Sequence, residues 1–94
     1  MTADDAGPMP PMSMNDAMAL VRYAVTLEAA SAHEAQTHEH TGAIRKLARR
    51  IQNEATTGAP GTYTDQDVAL VVALGQPLGA TADRIAAALR ARVR

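Results

Sequence analysis

The feature that most restricts the fold is a long stretch, from Asn15 to Thr57, that contains no proline and a single glycine, Gly42. Alanine, leucine, glutamate and arginine dominate this stretch, and all four favour helix. Because glycine inside a helix costs about 1 kcal/mol relative to alanine, we expect two helices separated by a kink or tight corner near Gly42. One continuous rod through Gly42 is the alternative.

The second half of the stretch has the pattern of an amphipathic helix. At about 100° per residue, Ile44, Leu47 and Ile51 lie on one side of the helix. The other side carries four cations, namely Arg45, Lys46, Arg49 and Arg50. Such a cluster can neutralise phosphates, so these four residues are candidate nucleic-acid contacts. A solvated helix face is the simpler interpretation of the same pattern.

The first half of the stretch is apolar on most of its circumference. One face carries Met14, Met18, Val21 and Val25, and another carries Leu20, Ala24 and Leu27. A helix of this kind needs cover on most sides, from its own chain or from another one. The residues predicted to lie at an interface are Met18, Val21, Val25, Leu27, His33 and His40.

The two histidines of that set permit a further hypothesis. His33 and His40 lie two helical turns apart and share a face, which places them about 10 Å apart along the axis. At that distance they need a partner helix to chelate one ion, so the sequence predicts no metal site within a single chain. A metal- or pH-responsive module that uses His33 and His40 is therefore the second alternative function.

Composition limits the core and suggests a partner. Apolar residues make up 47% of the chain but aromatic residues only 2%, with no Phe and no Trp. A short chain with small apolar side chains buries little area, so we expect a homodimer or docking onto a larger protein. The lack of cysteine excludes disulfides and thiolate metal sites and fits a cytoplasmic protein. No run approaches the ~18–20 apolar residues of a membrane span, so no membrane partner is expected.

Charge is divided unevenly along the chain, although the net charge is only −1. Residues 1–40 carry six acids and one base, which gives −5, whereas residues 41–94 carry eight bases and four acids, which gives +4. This division predicts either a basic surface for a partner or pairing of acids and bases between the two halves.

Local signals divide the rest of the chain. Residues 1–13 are rich in methionine and proline and are predicted to be a disordered tail. A loop is predicted at Thr57–Thr62, a capping box at Thr64 and Asp67, a helix rather than a buried strand at Val68–Leu74, and a turn at Gly75–Gly79. The last helix is predicted to begin at a Thr81 cap, to bury Ala82, Ile85, Ala86, Leu89 and Val93, and to direct Arg84, Arg90, Arg92 and Arg94 elsewhere.

The pattern T-x-x-x-I-A-x-x-L from Thr81 to Leu89 resembles the first helix of a helix-turn-helix. With Thr64–Gly75 ahead of it, the segment is similar to the front of a Myb-like or sigma-like three-helix unit. That resemblance implies a recognition helix after Leu89. Only five residues follow Leu89, so no base-contacting residue is assigned from the resemblance.

The sequence therefore predicts an all-α protein, a small bundle of about four helices with a long or kinked N-terminal segment and a C-terminal helical hairpin. The helices are expected at about 14–40, 42–57, 64–75 and 80–93, in a single domain over residues 14–94. No nucleophile or phosphate-loop motif occurs, so no catalytic or cofactor residue is predicted. The expected function is that of a non-enzymatic adaptor, regulator or assembly component that binds another protein. A nucleic-acid-binding regulator that uses Arg45–Arg50 is the first alternative.

Overall fold

The computed structural model describes residues 11–30 and 38–93, which form helices and no β-strand. The predicted all-α class is thus confirmed. In chain order the helices are α1 (Met14–Ala30), α2 (His38–Thr57), α3 (Asp65–Val72), α4 (Gly75–Leu78) and α5 (Ala80–Arg90). α1 packs along α2, α3 and α4 pack against α5, and α5 also contacts α1. An N-terminal helical pair is thereby joined to a C-terminal helical hairpin.

Side chains cap the first and third helices. At the start of α1 the backbone N–H of Asp16 donates to Oγ of Ser13 at 3.2 Å. Before α3 the backbone N–H of Asp67 donates to Oγ1 of Thr64 at 3.2 Å, and the N–H of Thr64 donates to Oδ2 of Asp67 at 3.0 Å. These bonds satisfy backbone donors that a helix start leaves without partners. The predicted capping box is confirmed, and the apolar run after it is helical as far as Val72.

α2 is one helix from His38 to Thr57, so the boundary predicted at Gly42 is wrong. Thr41 and Ile44, on either side of Gly42, are buried, and burial of flanking side chains offsets the low helix propensity of glycine. Residues 31–37, which were assigned to the first predicted helix, lie outside the described part of the chain.

Alanine in place of Gly42 is expected to raise the free energy of unfolding by about 0.5–1 kcal/mol. A Cβ atom built on Gly42 meets no other atom within 4 Å, and alanine reduces the conformational freedom of the unfolded chain. Urea denaturation followed by circular dichroism measures the change. Gly58→Ala is the matched control. Gly58 has a φ of 77°, so alanine at that position should destabilise the fold. A loss of stability in Gly42→Ala would show that α2 is not continuous there.

The C-terminal hairpin differs from its prediction in its turn and at the start of its last helix. Gly75–Leu78 forms a one-turn helix rather than a plain turn, with the N–H of Gly79 donating to the carbonyl of Gly75 at 2.8 Å. Thr81 does not cap the last helix, because α5 begins at Ala80 and Gly79 occupies the cap position with a φ of 56°. The Oγ1 atom of Thr81 instead accepts a bond from Nη2 of Arg84 at 3.2 Å.

The core draws on every helix except the short α4 and also on the segments beside them. Its apolar members are Met12, Ala17, Leu20, Ala24, Ile44, Leu47, Ala48, Ile51, Tyr63, Val68, Val71, Leu74, Ala82, Ile85, Ala86, Ala88 and Leu89. The apolar stripe predicted for α2 is therefore confirmed. Met12 falls in the predicted tail yet is buried, while residues 1–10 lie outside the described residues.

Ion pairs connect the acidic and basic parts of the chain. Arg84 of α5 donates to both carboxylate oxygens of Asp16 in α1, at 2.9 Å from Nη2 and 3.0 Å from Nε. Arg45 of α2 donates to Oε2 of Glu28 in α1 at 2.7 Å. The uneven charge distribution is thus partly resolved by pairing within the fold. Two-point pairing by the planar guanidinium of Arg84 thus links α5 directly to α1.

Candidate functional site: a groove between α1 and α2

A groove of about 450 Å³ lies between α1 and α2 and is called the α1/α2 groove below. It is lined by Val21, Ala24, Val25 and Glu28 of α1 and by Arg45, Ala48, Arg49, Gln52, Asn53 and Thr56 of α2. At 1.5 Å per residue, α2 extends about 16 Å between its first and last lining residues. The groove is therefore long enough for about three turns of another helix.

Small side chains form the floor of the α1/α2 groove. Ala24 and Ala48 are both buried, and their single methyl groups leave space above the contact between the two helices. Val25 lies beside this floor with 60% of its surface exposed, and Val21 is half-buried. The apolar surface that the groove exposes therefore comes from Val25 and from part of Val21, and no described residue covers it. Contact with an apolar partner would remove this surface from water, which is favourable.

Charged and amide side chains surround the apolar floor. Arg45 and Glu28 neutralise each other at one end, and both are about half-exposed, so their pairing contributes little to stability. Arg49 is exposed and forms no ion pair with any residue that the structure describes. Gln52 and Asn53 add amide groups toward the other end. The lining therefore has a net positive charge, carried by Arg49.

The structure brings parts of two predicted site sets together. Val21 and Val25 of the predicted interface line the same groove as two of the predicted nucleic-acid contacts, Arg45 and Arg49. Sequence reasoning placed these sets on separate helices, and only the packing of α1 on α2 makes one surface of them.

The other members of the predicted interface set do not line the groove. The thioether sulfur of Met18 accepts a bond from Nε2 of Gln52 at 3.3 Å, and Leu27 packs against the core. His40 is exposed at the start of α2, whereas His33 lies outside the described residues. Within the described ranges, no group of three His, Cys, Asp or Glu side chains could hold a metal ion.

Arg50, another predicted nucleic-acid contact, is engaged within the fold. Its Nη2 atom donates to the carbonyl oxygen of Thr62 at 2.9 Å and to Oδ2 of Asp67 at 3.2 Å. The guanidinium carbon also lies 4.9 Å from the ring centroid of Tyr63. Arg50 therefore ties α2 to the start of α3. Lys46 is exposed and does not line the groove.

A buried ion pair that the sequence reasoning missed joins the end of α2 to the segment after α5. Nε of Arg92 donates to Oε2 of Glu54 at 2.6 Å, and Nη1 donates to the carbonyl oxygen of Ala88 at 2.7 Å. The other carboxylate oxygen of Glu54 accepts from the N–H of Gly61 at 2.8 Å and from the hydroxyl of Tyr63 at 3.2 Å. The prediction that Arg92 points away from the core is wrong, since only 4% of it is exposed.

This network shifts the ionisation of its members. Burial by itself raises the pKa of Glu54, but the hydrogen bonds from Arg92 and Gly61, with the charge of Arg92 and the Tyr63 hydroxyl, outweigh burial and lower that pKa. Burial, followed by the negative charge of Glu54, raises the pKa of Tyr63 to about 12. The carboxylate is therefore held ionised and the phenol neutral, which suits a fixed structural network.

Spacing contains a signal for this pair. Glu54 lies three residues after Ile51 and so extends the apolar stripe of Ile44, Leu47 and Ile51. Arg92 likewise lies three residues after Leu89. An acid and a base that continue two apolar stripes are candidates for mutual burial, because buried charges require partners.

No protein-family model, curated protein or solved structure matches the chain. Within the described residues, no helix is both long enough and apolar enough to cross a membrane.

Proposed function

We propose that this chain is a non-enzymatic helical binding module that accepts a helix from a partner protein in the α1/α2 groove. The observation that carries the proposal is the uncovered apolar strip around Val25, set in a concave surface between two helices. A helix laid in an apolar groove is a common mode of recognition between proteins. The proposal includes the cytoplasm as the place of action, in keeping with a chain that has no cysteine.

The nucleic-acid alternative has less support. Of its four cations, Arg45 pairs with Glu28 and Arg50 pairs with Asp67. Phosphate binding depends on the number of cations available, so loss of two of them weakens it considerably. A protein partner also uses the exposed apolar surface of Val25, which a phosphate backbone does not.

Aspartate in place of Val25 is expected to reduce partner binding at least about tenfold, because a charge would enter the apolar strip without a fixed partner. The measurement compares the proteins that immobilised wild-type and variant chains capture from a host lysate. Val72→Asp is the matched control, since Val72 is 51% exposed on α3 and lies outside the groove.

Both substitutions should leave the helical signal unchanged, because both side chains are exposed. The proposal requires a protein captured by wild type and by Val72→Asp but not by Val25→Asp. Capture that is the same for all three chains would remove the groove as the binding site.

A further inference from the structure

We infer that the occupant of the α1/α2 groove is an amphipathic helix of another protein with acidic side chains beside its apolar stripe, one of which pairs with Arg49. This inference rests on the proposed function and specifies the chemistry of the partner. Three neighbouring arginines on α2 differ in whether they form an ion pair. Arg45 and Arg50 each have a carboxylate partner, whereas Arg49 has none among the described residues.

The position of Arg49 connects its charge to the groove. It follows Ala48 of the apolar floor and lines the groove together with Val25. A helix whose apolar stripe covers these residues places the side chains that flank its stripe within reach of the arginine. A carboxylate there would form a charge-assisted hydrogen bond with the guanidinium, which is stronger than one between neutral groups.

Charge also favours a different protein over a second copy of this chain. If two copies met groove to groove, each would bring its own Arg49, and Glu28, the only carboxylate among the described residues of the lining, is already paired with Arg45. Two such positive grooves repel each other. An acidic helix supplies the opposite charge, which provides specificity and speeds association.

The amide groups define the remaining contacts. Gln52 donates to the sulfur of Met18, which is a weak acceptor, so this amide can turn to a stronger acceptor on the partner. Asn53 is exposed one position farther along α2. The partner helix is thus expected to be about three turns long, with alanine or leucine toward the floor, an acid opposite Arg49, and polar residues beside the two amides.

The test uses three synthetic helical peptides that share an alanine–leucine stripe and differ only in their flanking residues, which are glutamate, glutamine or lysine. Fluorescence anisotropy measures binding to the full chain. The glutamate peptide is expected to bind about two- to fivefold more tightly than the glutamine peptide, which is the range for a partly exposed ion pair. The lysine peptide should bind most weakly, and added salt should reduce the differences.

Variants of the full chain sharpen the comparison. Arg49→Glu should reverse the order of the peptide affinities, so that the lysine peptide binds most tightly. Arg90→Gln changes an exposed arginine of α5 and should preserve the wild-type order of affinities. Affinity that is independent of the flanking residues would overturn the acidic partner and leave helix binding standing. Failure of every peptide to bind would overturn the inference, and the Val25→Asp capture result would then decide the proposed function separately.

Light scattering during size-exclusion chromatography tests directly whether a second copy of this chain occupies the groove. A wild-type chain that elutes as a monomer agrees with the inference. A dimer that Val25→Asp dissociates and Val72→Asp does not would overturn it, because the groove would then be filled by another copy of this chain.

Discussion

Methionine in place of Arg92 is expected to lower the free energy of unfolding by about 3–5 kcal/mol. The substitution retains much of the side-chain volume but leaves the Glu54 carboxylate, only 5% exposed, without its cation. A buried charge without a partner is far more costly than the intact pair is favourable. Chemical denaturation with a circular dichroism readout measures the loss. Domains of this size are stable by about 5–15 kcal/mol, so the effect is a large share of the total.

Two further variants identify the cause of that loss. Arg90→Met removes an exposed arginine from α5 and should change stability by no more than about 0.5 kcal/mol. Combining Glu54→Gln with Arg92→Met should cost less than the sum of the two single substitutions, because the double variant no longer buries a lone charge. Strict additivity would mean that the two residues do not interact as the structure shows.

Lowering the pH should reduce the difference in the free energy of unfolding between wild type and Arg92→Met. The pKa of Glu54 in the folded chain lies below its ordinary value of 4.5, so its ionised form stabilises the fold above about pH 4.5. That contribution disappears as the pH falls through the lowered pKa, because the carboxyl group is then protonated. In Arg92→Met the same protonation relieves the lone buried charge, and the two stabilities should therefore converge.

Alanine in place of Tyr63 is expected to cost about 3–5 kcal/mol, the usual range for deleting a large buried aromatic side chain. Tyr63 is 2% exposed, and its backbone forms a parallel bridge with Val93 beyond α5. A Cβ atom built on Gly61 would lie 3.1 Å from the Tyr63 hydroxyl oxygen, so the loop passes very close to the ring. Thermal and denaturant unfolding both report the loss.

A milder variant distinguishes the contribution of the Tyr63 hydroxyl to stability from that of the ring. Tyr63→Phe keeps the ring and removes one hydrogen bond to the ionised Glu54 carboxylate, so it should cost about 1.5–3 kcal/mol. Tyr23→Ala is the control on α1, where the ring is only partly buried and its removal should be less harmful. If Tyr63→Ala were no worse than Tyr23→Ala, the ring would not be the packing centre of the loop.

Several elements were predictable because their causes lie close together in the chain. The capping box at Thr64 and Asp67 involves residues three apart, and the stripe of Ile44, Leu47 and Ile51 repeats with the helical period. The helix boundary predicted at Gly42 was wrong because its cause lies far away in the chain. The local propensity of Gly42 opposes helix, but burial of the residues beside it decides the outcome, and burial depends on elements far along the chain.

The candidate site was only partly predictable. Val25 and Arg49 were each singled out from their own helices, but whether they share a surface depends on how α1 rotates against α2. The same limit applies to Glu54 and Arg92, which are separated by much of the C-terminal half and meet only when α5 has folded back.

The amino-acid sequence by itself determined that this chain is helical, because helix formation is governed by neighbours within a few positions. Tertiary structure alone decided which apolar residues are covered and which charges find partners. The reason is that burial depends on which helix faces meet, and α1 is apolar on most of its circumference. Packing against α2 and α5 leaves Val25 exposed beside an arginine without a carboxylate among the described residues.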